Sequence, residues 1–249
     1  KSISYKDFYN ELRKGEMSST SQINPSTFEE TFRKYVSEGY SLIYIAFSSA
    51  LSGTYNSACI ARDTILEENP SADISIIDSK CASLGLGLLV YNACERLKAG
   101  ESKEAVVNWV ENNKLKLNHW FTVDDLHHLK RGGRVSSTSA ILGTLLDIKP
   151  VLKVNKEGKL VPVTKVKGRK KSIRALADAL KQRIVDPDNQ VIAISHGDCE
   201  DDARLLERLI KEEFNIKDVI FNYVGPVIGS HSGPGTIALF FFGNDRGDD

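Results

Sequence analysis

The sequence predicts an α/β protein of two domains, the first with a mainly parallel sheet flanked by helices and the second with a mixed sheet. Three observations predict it. Short apolar runs alternate with segments of helical period over residues 1–116, the pattern of parallel strands joined by helices. Beyond that point two alternating runs flank Asn155-Lys156-Glu157-Gly158, a hairpin signature, before strand and helix alternate again. The chain has 249 residues, of which 41% are hydrophobic, enough to build two cores of ordinary size. The expected domains are residues 1–116 and 117–249.

Each element has a local reason. Ser4-Tyr5-Lys6-Asp7 is a capping start for a short helix through Arg13, ended by Gly15. Asn24 followed by Pro25 places a cap and a first-turn proline at the head of a second helix. That helix is expected to turn Phe28, Phe32, Tyr35 and Val36 inward and to stop at Gly39. Leu42 to Phe47 reads as a strand, and Ser48 to Gly53 as a hydroxyl-rich turn. The helix behind it carries Tyr55, Ala58, Cys59, Arg62, Ile65 and Leu66 on one face until Asn69-Pro70. Ile74 to Asp78 is a second strand, Ser79 to Ser83 a turn and Leu84 to Leu97 a helix, and Ser102 caps another helix.

In the second domain, Trp120 to Val123 predicts a strand, Asp124 to Leu129 a short helix and Ser139 to Leu146 a small apolar helix. Pro150 to Val154 and Lys159 to Val166 form the hairpin. Then come a helix from Ser172 to Ile184, a strand from Val191 to Ser195, an amphipathic helix from Asp201 to Phe214 and a strand from Val219 to Phe221. Gly229 to Thr236 reads as a rigid loop before a last strand, Ile237 to Phe242.

Several function classes are excluded or disfavoured. Lys plus Arg number 33 and Asp plus Glu number 33, so no bulk positive charge drives nucleic-acid binding. No apolar run approaches the ~20 residues that span a bilayer. Cys59, Cys81, Cys94 and Cys199 show no paired spacing. With no signal peptide, they read as reduced thiols of a cytosolic protein. The chain opens at Lys1 rather than Met, so a preceding segment is expected. Gly85-Leu86-Gly87 imitates a dinucleotide fingerprint, but Val90 occupies the third glycine position and no acidic residue follows at the right distance. Those glycines are expected to let the helix approach the sheet. No phosphate-binding loop occurs, and no metal-ligand spacing includes His127 and His128. Asp124 and Asp125 read as first-turn charges that complement a helix dipole.

The chemistry-bearing stretch is Phe47 to Ser57, a strand, a turn and a helix start. Free N–H groups at such a turn favour an anion, and Ser52 either caps the helix or offers its hydroxyl to a ligand. His231, between Ser230 and Ser232-Gly233-Pro234-Gly235, either donates to an anion or is satisfied by a neighbouring carbonyl. The basic run Lys165 to Lys171 is a solvated surface or a docking patch for an acidic partner or phosphate. Ser52, His231 and Asp198 can be assembled as a serine hydrolase for acyl esters, although Ser52 lacks the G-x-S-x-G flanks.

Taken together, the motifs resemble those of the DegV family of bacterial fatty-acid-binding proteins, which includes the binding subunit of fatty acid kinase. The resemblance is carried by Thr20-Ser21-Gln22, Ser48 to Tyr55, Asp78-Ser79, Ser83-Leu84-Gly85, Leu129 to Ser136, Lys149-Pro150, Lys167 to Lys171 and His231 to Thr236. It implies a lipid site at the cleft between two α/β domains. It places the fatty acid carboxylate on Thr20 and Ser52, with His231 close by. Arg131, Arg134 and Arg169 become the basic residues that face a kinase partner. Backbone N–H groups of Gly53 and Thr54 would complete the donor set that a carboxylate needs away from bulk water. The resemblance further implies a carrier with no cofactor, no metal and no nucleotide site of its own. A separate ATP-binding kinase subunit would phosphorylate the bound carboxylate to an acyl phosphate. Two departures stand out: the family's opening strand with its Asp-Ser pair is not seen, and Gln22 is followed by Ile23-Asn24-Pro25 where the family often has proline directly.

Overall fold

The computed structural model describes residues 3–124, 126–136 and 147–246. Helices α1 (Tyr5–Arg13) and α2 (Pro25–Ser37) precede strand β1 (Leu42–Ala46), helix α3 (Thr54–Glu68) and strand β2 (Ile74–Asp78). Then come α4 (Ser83–Lys98), α5 (Lys103–Asn113), β3 (Leu117–Thr122) and α6 (His127–Arg131). The hairpin strands β4 (Ile148–Val154) and β5 (Leu160–Lys167) lead to α7 (Arg169–Arg183) and β6 (Val191–His196). The chain continues through α8 (Glu200–Glu213), β7 (Asp218–Tyr223), α9 (Pro226–Ser232) and β8 (Ile237–Phe242). The helix expected over Ser139 to Leu146 lies outside the described residues, as does Asp125.

β1 and β2 form a two-stranded parallel sheet, and the other six strands form a mixed sheet in the order β5-β4-β3-β8-β6-β7. Among the described residues of the larger sheet, β6 and β7 pair in parallel and the other neighbours antiparallel. Alternation along β8 divides its side chains between two cores. Ala238 and Phe240 face a core that also holds Ile45, Ile77, Leu88 and Phe121. Ile237, Leu239 and Phe241 face the helices α7 and α8 through Ile173, Leu176 and Leu206. α4 thus lies between the sheets, with Leu88 and Leu89 fully buried. α2 and α3 cover the outer face of the small sheet through Phe28, Phe32, Ala58 and Ile65.

Local signals are satisfied as expected at most starts and stops. Ser4, Asn24 and Ser102 accept from the backbone N–H three residues on, and Gly15 and Gly39 end their helices at φ +92° and +84°. The differences have physical reasons. Phe28, Phe32 and Val36 face inward as expected, but Tyr35 is exposed and meets Tyr40 edge-on. α3 buries Ser57, Ala58, Ala61 and Ile65. Its inward face is therefore rotated from the one expected, and small residues let it lie close to α2. β3 begins at Leu117 because β8 offers a partner along its whole length. α7 begins at Arg169, so part of the basic run is helical. Residues Pro226 to Ser232 form helix α9 rather than a loop, started by a proline and closed by Gly233 at φ +78°.

Two contacts tie the sheets together. Arg246, 4% exposed, donates to the carbonyls of Lys80 and Lys114 at 2.9 Å each and of Asn155 at 3.3 Å. Ser48 Oγ donates to the Gly158 carbonyl at the hairpin tip at 2.9 Å. α1 crosses to the other sheet, where Phe8 and Tyr9 press on Gly229 of α9 and Tyr9 Oη donates to the Val224 carbonyl at 2.7 Å.

Candidate functional site

A cavity of about 620 Å³ lies between the two sheets, within the range of small-molecule sites. Its walls are mostly apolar: Leu86, Phe121, Val154, Leu160, Ala238 and Phe240 among them. β1 and β8 supply two of these walls because every second residue of each points inward. Polar groups gather where the 20–23 loop, the β1–α3 turn, α6 and α9 converge: Thr20, Ser52, Gly53, Thr54, Arg134 and His231 all line the cavity.

The polar end holds two hydrogen-bonded pairs. Thr20 Oγ1 and His231 Nε2 are 2.7 Å apart. Ser52 Oγ lies 2.9 Å from Thr54 Oγ1 and accepts from the Thr54 N–H at 3.3 Å. Ser52 therefore sits at the start of α3 without being its cap, since the cap residue is Gly53 and makes no side-chain bond. The turn is held from behind by Asp78, which accepts from the Ser49 hydroxyl and from the N–H groups of Ser49 and Lys80, and pairs with Lys80 Nζ at 2.7 Å. Burial pushes the Asp78 carboxyl up, but these partners outweigh it and the net shift is downward. Ser52 and Thr54 are half-buried and Gln22 and Gly53 exposed, so the polar end is near the surface.

His231 reaches the site from the last turn of α9. Burial, then the charges of Arg134 and Arg131, lower its pKa, so the ring is neutral at neutral pH. Arg134 lines the cavity and donates to the carbonyls of Leu51, at 3.2 Å, and Gly132. Arg131 is exposed beside His128 Nδ1 and does not line the cavity. Arg169 lies elsewhere, paired with Asp202 at 2.8 Å and near Cys199. The structure thus brings together Thr20, Ser52, Gly53, Thr54, His231 and Arg134, and leaves Arg131 and Arg169 outside the cavity.

The hydrolase arrangement is not assembled. Asp198 pairs with Arg13 and not with His231. No described hydrogen bond joins Ser52 to His231. Among the described residues no three His, Cys, Asp or Glu side chains come together as a metal site, and no helix is long and apolar enough to cross a membrane.

His119 is a cavity residue that sequence reasoning missed. It is fully buried on β3, its Nδ1 lies 3.0 Å from the Leu117 carbonyl, and its Nε2 accepts from the Ala82 N–H at 3.3 Å. Burial and the nearby Arg246 charge hold it well below the ordinary histidine value. Gly85 makes room for it: a Cβ there would stand 2.1 Å from His119 Nε2. The Gly85 signal was visible in the sequence, but its partner 34 residues on was not.

A family model for the DegV family of uncharacterised proteins matches residues 1–244. A DegV domain-containing protein of Clostridium perfringens is 54% identical over 97% of this chain and 83% of its own length. A fatty-acid-binding DegV family protein from Streptococcus agalactiae is similar in structure, with TM-score 0.83, 31% identity and coverage of 98% of this chain and 85% of that one. For a DegV family protein from Thermus thermophilus, also described by its fatty acid binding, the values are 0.85, 30%, 97% and 85%. With its motifs, fold and relatives in agreement, the chain belongs to the DegV family.

Proposed function

We propose that the protein binds one long-chain fatty acid, with the carboxylate at the polar end of the cavity and the acyl chain along its apolar walls. The observation that carries this reading is the gathering of Thr20, Ser52, Thr54 and His231 in a mostly apolar cavity of about 620 Å³. A carboxylate removed from bulk water needs several donors. The Thr20 and Ser52 hydroxyls and the α3 N-terminus would provide them, with the helix dipole favouring the negative charge. Burial of each methylene contributes roughly 0.8 kcal/mol, so a dozen give about 10 kcal/mol before the costs of association.

The half-buried polar end leaves the carboxylate within reach of a second protein. We propose that a separate kinase subunit supplies ATP there. A carboxylate oxygen attacks the γ-phosphorus, ADP leaves, and the product is an acyl phosphate. In this reading the chain is a cytoplasmic carrier that presents its ligand, with Arg131 and Arg134 beside the polar end and facing the partner, whereas Arg169, paired with Asp202 away from that end, takes no part there.

Organic extraction of the purified protein followed by mass spectrometry tests the binding. The expected result is a long-chain fatty acid near one per chain. No extracted fatty acid, with none taken up on addition, overturns it. A fluorophosphonate probe is expected to leave Ser52 unlabelled, since among the described residues its hydroxyl meets Thr54 and no base.

A further inference from the structure

Two adjacent glycines end α6 for opposite reasons. Gly133 has φ +68° with open space where a Cβ would stand; it is a glycine for its backbone. Gly132 has φ −75° and ψ −7°, a conformation open to any residue. Yet a Cβ on Gly132 would lie 2.2 Å from His231 Nδ1 and 3.1 Å from Cε1. The backbone does not require glycine at 132; the imidazole does. Two other cavity side chains are seated the same way, His119 against Gly85 and Gln22 against Gly53, each 2.1 Å from the absent Cβ.

His231 Nδ1, pressed on Gly132, is buried with no hydrogen-bond partner. A buried N–H without an acceptor is costlier and rarer than an unused lone pair. The ring proton therefore belongs on Nε2, where it donates to Thr20 Oγ1 at 2.7 Å. Thr20 then accepts from the ring and keeps its own hydroxyl proton for another acceptor. With the proton on Nδ1, the N–H would face a methylene and Thr20 would spend its proton on the ring.

We propose that Gly132 is a positioning residue of the head-group site: by lacking a Cβ it seats the His231 ring with its proton on Nε2, which commits the Thr20 hydroxyl proton to the bound carboxylate. This rests on the carboxylate reading above, but its first consequence, the tautomer, belongs to the ligand-free protein.

The test is nitrogen-15 NMR of the histidine rings in delipidated protein, with His231 assigned by its loss in His231→Ala. The expected result is a neutral ring protonated at Nε2. In Gly132→Ala the signals move toward a mixture of tautomers, and fatty acid binding weakens roughly tenfold, the loss of one good hydrogen bond. In the His231→Ala background Gly132→Ala adds no further loss, because the Cβ then meets no ring. Gly133→Ala lowers Tm yet leaves the His231 signals as in the wild type. An Nδ1–H tautomer in the wild type overturns the proposal, as does a Gly132→Ala protein with unchanged ring signals or an equal binding loss in both backgrounds. The wild-type spectrum decides the tautomer even if Gly132→Ala fails to fold or no fatty acid binds.

Discussion

At the scale of the residue, two hydroxyls, those of Thr20 and Ser52, reach one cavity from segments 32 positions apart. On the proposed carboxylate reading, Ser52→Ala removes a donor to a charged group, worth about 1.5–3 kcal/mol. Fatty acid binding is expected to weaken by a factor on the order of ten or more with the urea midpoint unchanged. Equal affinity in a binding titration would remove Ser52 from the site. Three histidines set a pH dependence: burial lowers the pKa of His119, His196 and His231. Their unfolded value is about 6.5. In the folded protein they stay neutral below it while the unfolded chain takes up protons. Stability is therefore full above about pH 6.5 and falls as pH drops below it. His119 alone contributes a slope on the order of 1.4 kcal/mol per pH unit while only its unfolded form is charged. The urea midpoint at about pH 5 should be clearly lower than at about pH 7.5; equal midpoints would contradict the burial of neutral rings. Asp78, held low, acts at a more acid pH. Thr20, Ser52 and His231 were legible because each sits in a short motif that its own neighbours define. His119 was not, since Gly85 and β3 meet only in the fold.

At the scale of the element, α9 is the piece whose placement matters most, because Val227, Ile228, His231 and Ser232 all line the cavity. It is held by α1, whose Tyr9 hydroxyl and Phe8 ring would stand 2.6 and 2.9 Å from a Cβ on Gly229. Gly229→Ala is thus an overpacking change, expected to destabilise by about 1–3 kcal/mol. An unchanged urea midpoint would show that α1 does not bear on α9. Elements bounded by caps, prolines and glycines were readable to within a residue or two, as at Ser4, Asn24 and Ser102. α9 was read as a loop because Gly229, Ser230 and Gly233 are poor helix formers. Packing under α1 overrides that preference. The inward face of α3 was misread because Ser57 and Ala61 carry little hydrophobic signal yet are buried, Ala61 in the cluster that holds Phe28 and Phe32 of α2.

At the scale of the whole molecule, the cavity exists because two sheets are held a fixed distance apart by α4 and by a few long-range polar ties. Arg246, 4% exposed, is the charged one among these. Arg246→Ala would strand the carbonyls of Lys80, Lys114 and Asn155, and should cost about 3 kcal/mol or more. Denaturation that left the midpoint unmoved would deny it that role. The mixed sheet was foreseen from its hairpin and its βαβ signals, whereas the packing of α1 across to the second sheet had no signature in sequence. The ties at Arg246 and Ser48 likewise join positions far apart in the chain.

On the proposed function, one polar cluster in one mostly apolar cavity holds a fatty acid carboxylate. Calorimetric titration of delipidated protein with a long-chain fatty acid, beside the Thr20→Val and Ser52→Ala variants, tests it most directly. Saturation at one ligand per chain is expected, with roughly tenfold weaker binding in each variant. No saturable binding by the wild type, or variants that bind as tightly as it does, would contradict it.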